Sequence, residues 1–197
     1  MRLSPSMYDL LQRLVHGDYE HVVKSIIEDL CLNPGGRVVE IGCGTGRLAG
    51  PFLRSGMEYW GLDPDAGRIA LARAENPDGN FLVGDAGRLG EADLPEFNCA
   101  FVHGVVHHLD DKTTLDMLEH LISLPNMRAV IIDPILPKRP LSNPFGYLLA
   151  KMDEGNYVRT GEDLEELFSP YVISKRTRSL MPRWPVPFMH LTLELNE

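Results

Sequence analysis

The residues best suited to chemistry begin with a glycine-rich loop, in which Gly42, Gly44 and Gly46 alternate with other residues. A β-branched run at 37–41 precedes this loop and a helical pattern follows it, so the loop joins a strand to a helix. Glycines at such a junction let the main chain turn sharply and let a ligand approach the backbone closely. The loop alone predicts a nucleotide-type site, although dinucleotides, phosphates and plain tight turns use similar loops.

Acidic residues stand at the ends of successive predicted strands. Glu40 precedes the loop, and Asp63 closes the second strand 21 residues after Gly42. A carboxylate at Asp63 can accept both hydroxyls of an adenosine ribose, at about 1.5–3 kcal/mol for each charge-assisted bond. Asp85 closes the third strand, where it can accept from an adenine amino group. Taken singly, Asp63 also fits a turn or a helix N-cap, and Asp85 a plain turn.

Arg47 argues against a dinucleotide. The dinucleotide fingerprint G-x-G-x-x-G/A requires a small residue where Arg47 stands, and the spacing here is G-x-G-x-G. Nicotinamide sites share the ribose carboxylate but require neither Asp85 nor Glu40. An NAD-type oxidoreductase is therefore the less favoured alternative.

The chain resembles the class I S-adenosylmethionine-dependent methyltransferases over roughly residues 35 to 135. The motifs are residues 38–46 (VVEIGCGTG), 61–65 (GLDPD), 84–86 (GDA) and 105–110 (VVHHLD), in the family's order and spacing. The resemblance implies a Rossmann-like α/β fold with helices on both faces of the sheet. The sheet is expected to be seven-stranded and mostly parallel, in the order 3-2-1-4-5-7-6, with an antiparallel C-terminal hairpin.

The resemblance also implies how S-adenosylmethionine, and its product S-adenosylhomocysteine, are bound. Glu40 and the three glycines would face the methionine moiety, Asp63 the ribose, and Asp85 with Ala86 the adenine. His103 would line the sulfonium end. The expected cofactor-binding residues are Glu40, Gly42, Cys43, Gly44, Gly46, Asp63, Pro64, Asp85, Ala86 and His103.

His107 and His108 are the candidate catalytic residues. Histidine is a suitable general base near neutral pH, and a base is required where an acceptor hydroxyl must lose its proton. The alternative is that one of them only packs or caps a helix. A metal site formed with Asp110 and Asp111 is not expected, because these two residues suit the N-cap of the following helix.

The acceptor is expected to bind outside the sheet. Tyr157 and Arg159 are the candidate substrate-binding residues, since they could grip an acceptor carboxylate or phosphate. Alternatively, they anchor their segment to the sheet. Asp133-Pro134 follows the fifth strand, whereas amino-methylating DNA enzymes have their Asp-Pro motif after the fourth. With a net charge of -9, this argues against nucleic-acid and membrane-surface partners.

A single methyltransferase domain is expected over residues 1–197. It divides into an N-terminal helical cap (1–34), a cofactor-binding core (35–133), a substrate-side connection (134–160) and a C-terminal helix and hairpin (161–197). The predicted strands are 37–41, 58–62, 80–83, 98–102, 128–132, 171–180 and 188–195. The predicted helices are 7–32 with a break at 17–18, 46–53, 65–74, 112–122 and 161–168.

The favoured function is methyl transfer from S-adenosylmethionine to a small-molecule acceptor, with oxygen slightly favoured as the acceptor atom. The alternative is a non-catalytic protein of the same fold that binds the cofactor or a partner. Three scattered cysteines, Cys31, Cys43 and Cys99, fit free thiols in a reducing compartment, and no targeting or transmembrane pattern is evident. A cytoplasmic location is expected, and a homodimer is left open.

Overall fold

The computed structural model describes residues 19–92, 94–137, 143–144, 147–148, 155–171, 173–180 and 187–195. Within these residues the strands are β1 Arg37–Ile41, β2 Glu58–Asp63, β3 Asn80–Val83, β4 Cys99–His103, β5 Met127–Pro134, β6 Ile173–Leu180 and β7 Pro187–Leu195. They form a seven-stranded sheet in the order β3-β2-β1-β4-β5-β7-β6. Strands β1 to β5 pair in parallel, whereas β7 is antiparallel to both β5 and β6. The expected sheet and its reversed hairpin are confirmed.

The helices among the described residues are α1 Glu20–Asp29, α2 Ala49–Arg54, α3 Ala66–Glu75, α4 Asp111–Ser123 and α5 Gly161–Leu167. Two of these five helices, α4 and α5, begin at the caps that the sequence indicates. The carboxylate of Asp110 caps α4 by accepting from the Thr113 backbone, which confirms its predicted role. Thr160 and Asp163 form a reciprocal capping box at the start of α5.

Two predicted helix boundaries differ from the structure by more than one residue. Helix α2 begins at Ala49 and not at Gly46, because Gly46 has a φ of 73° and so lies outside the right-handed helical region. Of the helix predicted over 7–32, residues 20–29 are helical. Its first part, residues 7–18, lies outside the described residues. Residues 138–142, 145–146 and 149–154 of the substrate-side connection also lie outside them.

Hydrophobic residues cover both faces of the sheet, which explains why its central strands are apolar throughout. On one face, Leu118 of α4 and Phe168 after α5 pack in a cluster with Val39. On the other face, Ile26 of α1 and Phe52 of α2 pack in a second cluster. No helix among the described residues is long and apolar enough to cross a bilayer.

Helix α1 is held on the sheet by a buried polar contact. The Nε2 atom of His190, on β7, lies 2.8 Å from the Asp29 carboxylate, and these side chains are only 11% and 8% exposed. The Thr192 hydroxyl donates to the same carboxylate at 3.2 Å. This contact fixes the helix whose N-cap residue, Tyr19, reaches the carboxyl ends of the strands.

Candidate cofactor and active site

A cavity of about 930 Å³ opens at the carboxyl ends of the parallel strands. Ligands of open α/β sheets bind at this edge, where neighbouring connections leave in opposite directions. Of the residues expected to bind the cofactor, the cavity is lined by Glu40, Gly42, Cys43, Gly44, Asp63, Pro64, Asp85, Ala86 and His103. Of the candidate catalytic residues, His108 lines it too.

The glycines of the loop serve different purposes. Gly42 has a φ of 78°, and a Cβ atom there would lie 2.3 Å from Cγ2 of Val105. Gly44 has a φ of 55° and nothing within 4 Å of the Cβ position, so its surface is open to the cavity that it lines. Gly46 is outside the lining, and a Cβ there would lie 3.0 Å from Ala72 and Phe81. Its observed environment is helix–strand packing.

We expect Gly44→Ala to weaken cofactor binding much more than it weakens folding, because its methyl group enters space next to the exposed loop backbone. The left-handed φ adds a cost of about 1–2 kcal/mol. Gly35→Ala is the matched control, since Gly35 has a φ of 84° with nothing within 4 Å and lies outside the cavity. Chemical denaturation should give similar losses for both variants, and calorimetry with S-adenosylhomocysteine should separate them. Equal affinities would contradict a ligand against Gly44.

The carboxylate of Asp63 connects the glycine loop to the start of α3. Its Oδ2 accepts from the Gly44 backbone N–H at 2.9 Å, and its Oδ1 accepts from the Asp65 N–H at 2.9 Å. The N-cap of α3 is Asp65, whose side chain accepts from Gly67 and Arg68. Each carboxylate oxygen has two lone pairs, so Asp63 retains acceptor capacity for a ligand.

Asp85 closes β3 as expected and also makes a local turn. Its Oδ1 accepts from the Gly87 backbone at 2.9 Å, and it caps the 3₁₀ turn Ala86–Glu91. The turn role and the cavity position therefore coincide at this residue.

Glu40 is an acid buried in the cavity wall. It is 2% exposed, and its carboxyl group accepts a hydrogen bond from the Tyr59 hydroxyl. Burial raises the pKa of Glu40 to about 8; the charge of Asp63 also raises it, while the Tyr59 bond and the charge of Arg47 lower it. Burial beside the same acids raises the pKa of the Cys43 thiol well above its usual range, so Cys43 remains a thiol at neutral pH.

Tyr19 and Arg47 complete the wall next to His103. The Arg47 guanidinium carbon lies 5.6 Å from the centre of the Tyr19 ring, and the His103 ring meets Tyr19 edge-on at 5.7 Å. Sequence reasoning missed Tyr19 as a site residue and used Arg47 only to argue against NAD. The cavity also includes Thr45, which lies within the motif of residues 38–46 but was not named as a binding residue. It includes Arg68 and Asn156 as well, which no local motif singled out.

The two candidate bases occupy different environments. His107 is 4% exposed and does not line the cavity, whereas His108 is exposed and does. The Nδ1 atom of His107 lies 3.2 Å from Oδ1 of the buried Asp133, which also accepts from the Val106 N–H at 3.0 Å. The sequence left open that one of the two histidines only packs or caps a helix. The contacts of His107 serve such a packing role.

Tyr157 and Arg159 do not line the cavity, although the neighbouring Asn156 does. Arg159 donates to backbone carbonyls and to Asp111. Of the two roles expected for it, acceptor binding and anchoring of its segment, these contacts serve anchoring. Tyr157 is 43% exposed, and its backbone N–H donates to the carbonyl of His107.

Across the described residues, no three His, Cys, Asp or Glu side chains are placed to hold a metal ion together.

Comparison with known proteins shows which proteins this chain is similar to. A family model described as a methyltransferase domain matches residues 38–124. An uncharacterized methyltransferase of Bacillus licheniformis is 24% identical over 86% of this chain and 77% of its own length. A ubiquinone biosynthesis O-methyltransferase of Rhodopseudomonas palustris is 32% identical over 63% of this chain, which covers only 44% of that enzyme.

The fold has close structural counterparts. Magnesium protoporphyrin IX methyltransferase from Synechocystis, solved with bound S-adenosylhomocysteine, aligns over all of this chain and 90% of its own. The TM-score is 0.70 and the sequences are 17% identical, so this likeness concerns the fold. The sheet order, the glycine loop with its acidic partners and the family match together support the placement of the chain among the class I S-adenosylmethionine-dependent methyltransferases.

Proposed function

We propose that the chain transfers a methyl group from S-adenosylmethionine to a hydroxyl oxygen of a small-molecule acceptor within the 930 Å³ cavity. The observation that carries the proposal is the charge of the lining. Three carboxylates, those of Asp63, Asp65 and Asp85, and the protonated carboxyl group of Glu40 line the cavity together with two guanidinium groups, those of Arg47 and Arg68. An acidic cavity suits a cofactor with a sulfonium and an ammonium group, and disfavours the pyrophosphate of a nicotinamide dinucleotide.

In this proposal Asp63 accepts from the ribose hydroxyls, and Asp85 with Ala86 faces the adenine. Glu40 and the glycine loop face the methionine moiety, with His103 near the sulfonium end. Gly44 fits this role because the space at its Cβ position is open. The cofactor supplies an electrophilic methyl group, so the main task of the chain is to hold the acceptor oxygen in line with it.

His108 is the proposed general base. It is exposed to the cavity, where its imidazole can accept the proton that the acceptor hydroxyl loses. The His107 ring lies 4.1 Å from the His108 ring, centre to centre, and the Nδ1 atom of His107 contacts the Asp133 carboxylate. His107 is therefore proposed to orient His108 rather than to move the proton itself.

A small acceptor fits the size of the cavity and the nature of the relatives. Pockets for small molecules commonly measure roughly 300–1,000 Å³. The relatives include ubiquinone biosynthesis O-methyltransferases and a demethylmenaquinone methyltransferase of Renibacterium salmoninarum, all covered over less than half of their own length. They favour a small organic acceptor and, in the first group, an oxygen atom.

The proposal is tested by calorimetry with S-adenosylmethionine, followed by a screen of phenols, catechols, carboxylic acids and amines. The release of S-adenosylhomocysteine reports turnover. We expect cofactor binding, no binding of NAD, and turnover with at least one hydroxyl compound that His108→Ala reduces by about 100-fold or more. Absence of cofactor binding would overturn the proposal. Tight binding without any turnover would instead favour the non-catalytic alternative.

A further inference from the structure

Residues 155–160, called here the connection segment, lie against residues 104–109, called here the cavity loop. The Tyr157 backbone N–H donates to the carbonyl of His107 at 2.9 Å, and the Leu136 N–H donates to the carbonyl of Arg159 at 2.8 Å. The packing is tight at Gly155, where a Cβ atom would lie 2.2 Å from the His107 ring. The connection segment thus bridges the chain after β4 and the chain after β5.

The Arg159 side chain makes most of the polar contacts of this bridge. Its Nη1 donates to the carbonyls of Val106 at 3.0 Å and Tyr157 at 3.1 Å. Its Nη2 donates to the carbonyl of Leu109 at 2.9 Å and to Asp111 Oδ1 at 2.6 Å, and its Nε donates to the same oxygen at 3.0 Å. A guanidinium has five N–H donors, and these bonds use all five. None remains for an acceptor carboxylate or phosphate.

Both elements joined by Arg159 form part of the cavity wall. The cavity loop contributes Val105, His108 and Leu109, and the connection segment contributes Asn156. We propose that Arg159 is a positioning residue for methyl transfer. Its side-chain bonds to the cavity loop and to Asp111, called here the latch, hold the connection segment against the cavity loop. They thereby keep His108 and Asn156 in one arrangement against the acceptor. The proposal deepens the proposed function and rests on it.

The geometry of the latch requires arginine. The ion pair with Asp111 contributes little, because the Asp111 side chain is 71% exposed. The bonds to the carbonyls of Val106 and Leu109 matter more, since they come from a side chain that is only 11% exposed. A planar fork reaches these separate acceptors at once, whereas a lysine ammonium is a compact point charge that cannot.

The test compares Arg159→Lys and Arg159→Ala with the wild-type chain by hydrogen exchange. We expect amides of the cavity loop to exchange about 10-fold faster in both variants, because its local opening becomes easier. Amides of β1 and β2 should keep their protection. Lys112→Ala is the control, because it removes an exposed ion pair with Asp116 within α4, the helix that also contains Asp111. If Arg159→Ala does not fold, Arg159→Lys alone decides.

A second measurement separates positioning from simple stabilisation. With an acceptor found in the screen, Arg159→Lys should raise the KM for that acceptor or lower kcat by about 10-fold, while the affinity for S-adenosylhomocysteine stays within about 3-fold. Unchanged exchange of the cavity loop in both variants, or full rescue by lysine, would overturn the latch. Because exchange needs no acceptor, it still decides the latch if the screen yields no turnover and the proposed function fails.

Discussion

Replacing Asp63 with alanine will weaken the binding of S-adenosylmethionine and S-adenosylhomocysteine by at least about 10-fold. In the proposed site this carboxylate accepts from the ribose hydroxyls, and each such bond contributes about 1.5–3 kcal/mol. The carboxylate also accepts from the backbone of Gly44 and Asp65. Its removal therefore loosens the glycine loop that must face the methionine moiety, and the two losses act on the same ligand.

Calorimetry on three variants resolves these contributions. Asp63→Asn keeps the size of the side chain but turns an amide donor toward a backbone N–H, so it should bind nearly as weakly as Asp63→Ala. Asp78→Ala is the control, because Asp78 is exposed and outside the cavity. Wild-type affinity in Asp63→Ala would show that the ribose is held elsewhere and would remove the central contact of the proposed site.

Most of the sheet could be predicted from the sequence because the signals are local. The strand 37–41 with its glycine turn, and the caps at Asp110 and Thr160, depend on neighbouring residues only. The order of the strands is a long-range property, and it came from the resemblance of whole motifs to a family. Helix α2 begins later than predicted because Gly46 adopts a left-handed φ. The hydrophobic pattern of the sequence does not indicate this φ.

The support of the site could not be predicted in the same way. Asp133 holds Val106 and His107 from a position 27 and 26 residues away, and Arg159 reaches Val106 across 53 residues. No spacing rule describes such contacts, because they depend on which loops the fold brings together. The sequence therefore predicted the strand-end acids and left open whether His107 and Arg159 serve chemistry or packing.

Glu40 leads to the second large effect, a pH dependence of stability and of cofactor binding. Burial raises the pKa of Glu40 from its ordinary value of 4.5 to about 8. The folded chain therefore retains a proton that the unfolded chain releases between these pH values. The stabilising contribution is fully present below about pH 4.5 and is lost as the pH rises through about 8, with a slope of up to about 1.4 kcal/mol per pH unit.

We expect Glu40→Gln to remove this slope, because a neutral amide releases no proton. Denaturation without cofactor at pH 5, 6, 7, 8 and 9 gives the slope as the difference between wild type and variant. Tyr59 contacts the same carboxyl group, so Tyr59→Phe is the companion variant. The hydrogen bond from Tyr59 lowers the pKa of Glu40. Its loss should therefore raise this pKa and extend the pH dependence of stability to higher pH. Equal pH profiles in wild type and Glu40→Gln would contradict a proton on Glu40.

Cofactor binding should reverse the protonation of Glu40. The cofactor carries an ammonium and a sulfonium, and a positive charge placed beside Glu40 favours its ionised form. At pH 7 the binding of S-adenosylmethionine should therefore release close to one proton from the wild-type chain and none from Glu40→Gln. Calorimetry in buffers of different ionisation enthalpy counts these protons. Because Arg47 lowers the pKa of Glu40, Arg47→Met should keep more of Glu40 protonated before binding and so increase the number of protons released near pH 8, where wild-type Glu40 is partly ionised. An uncharged ligand environment at Glu40 would leave every count at zero.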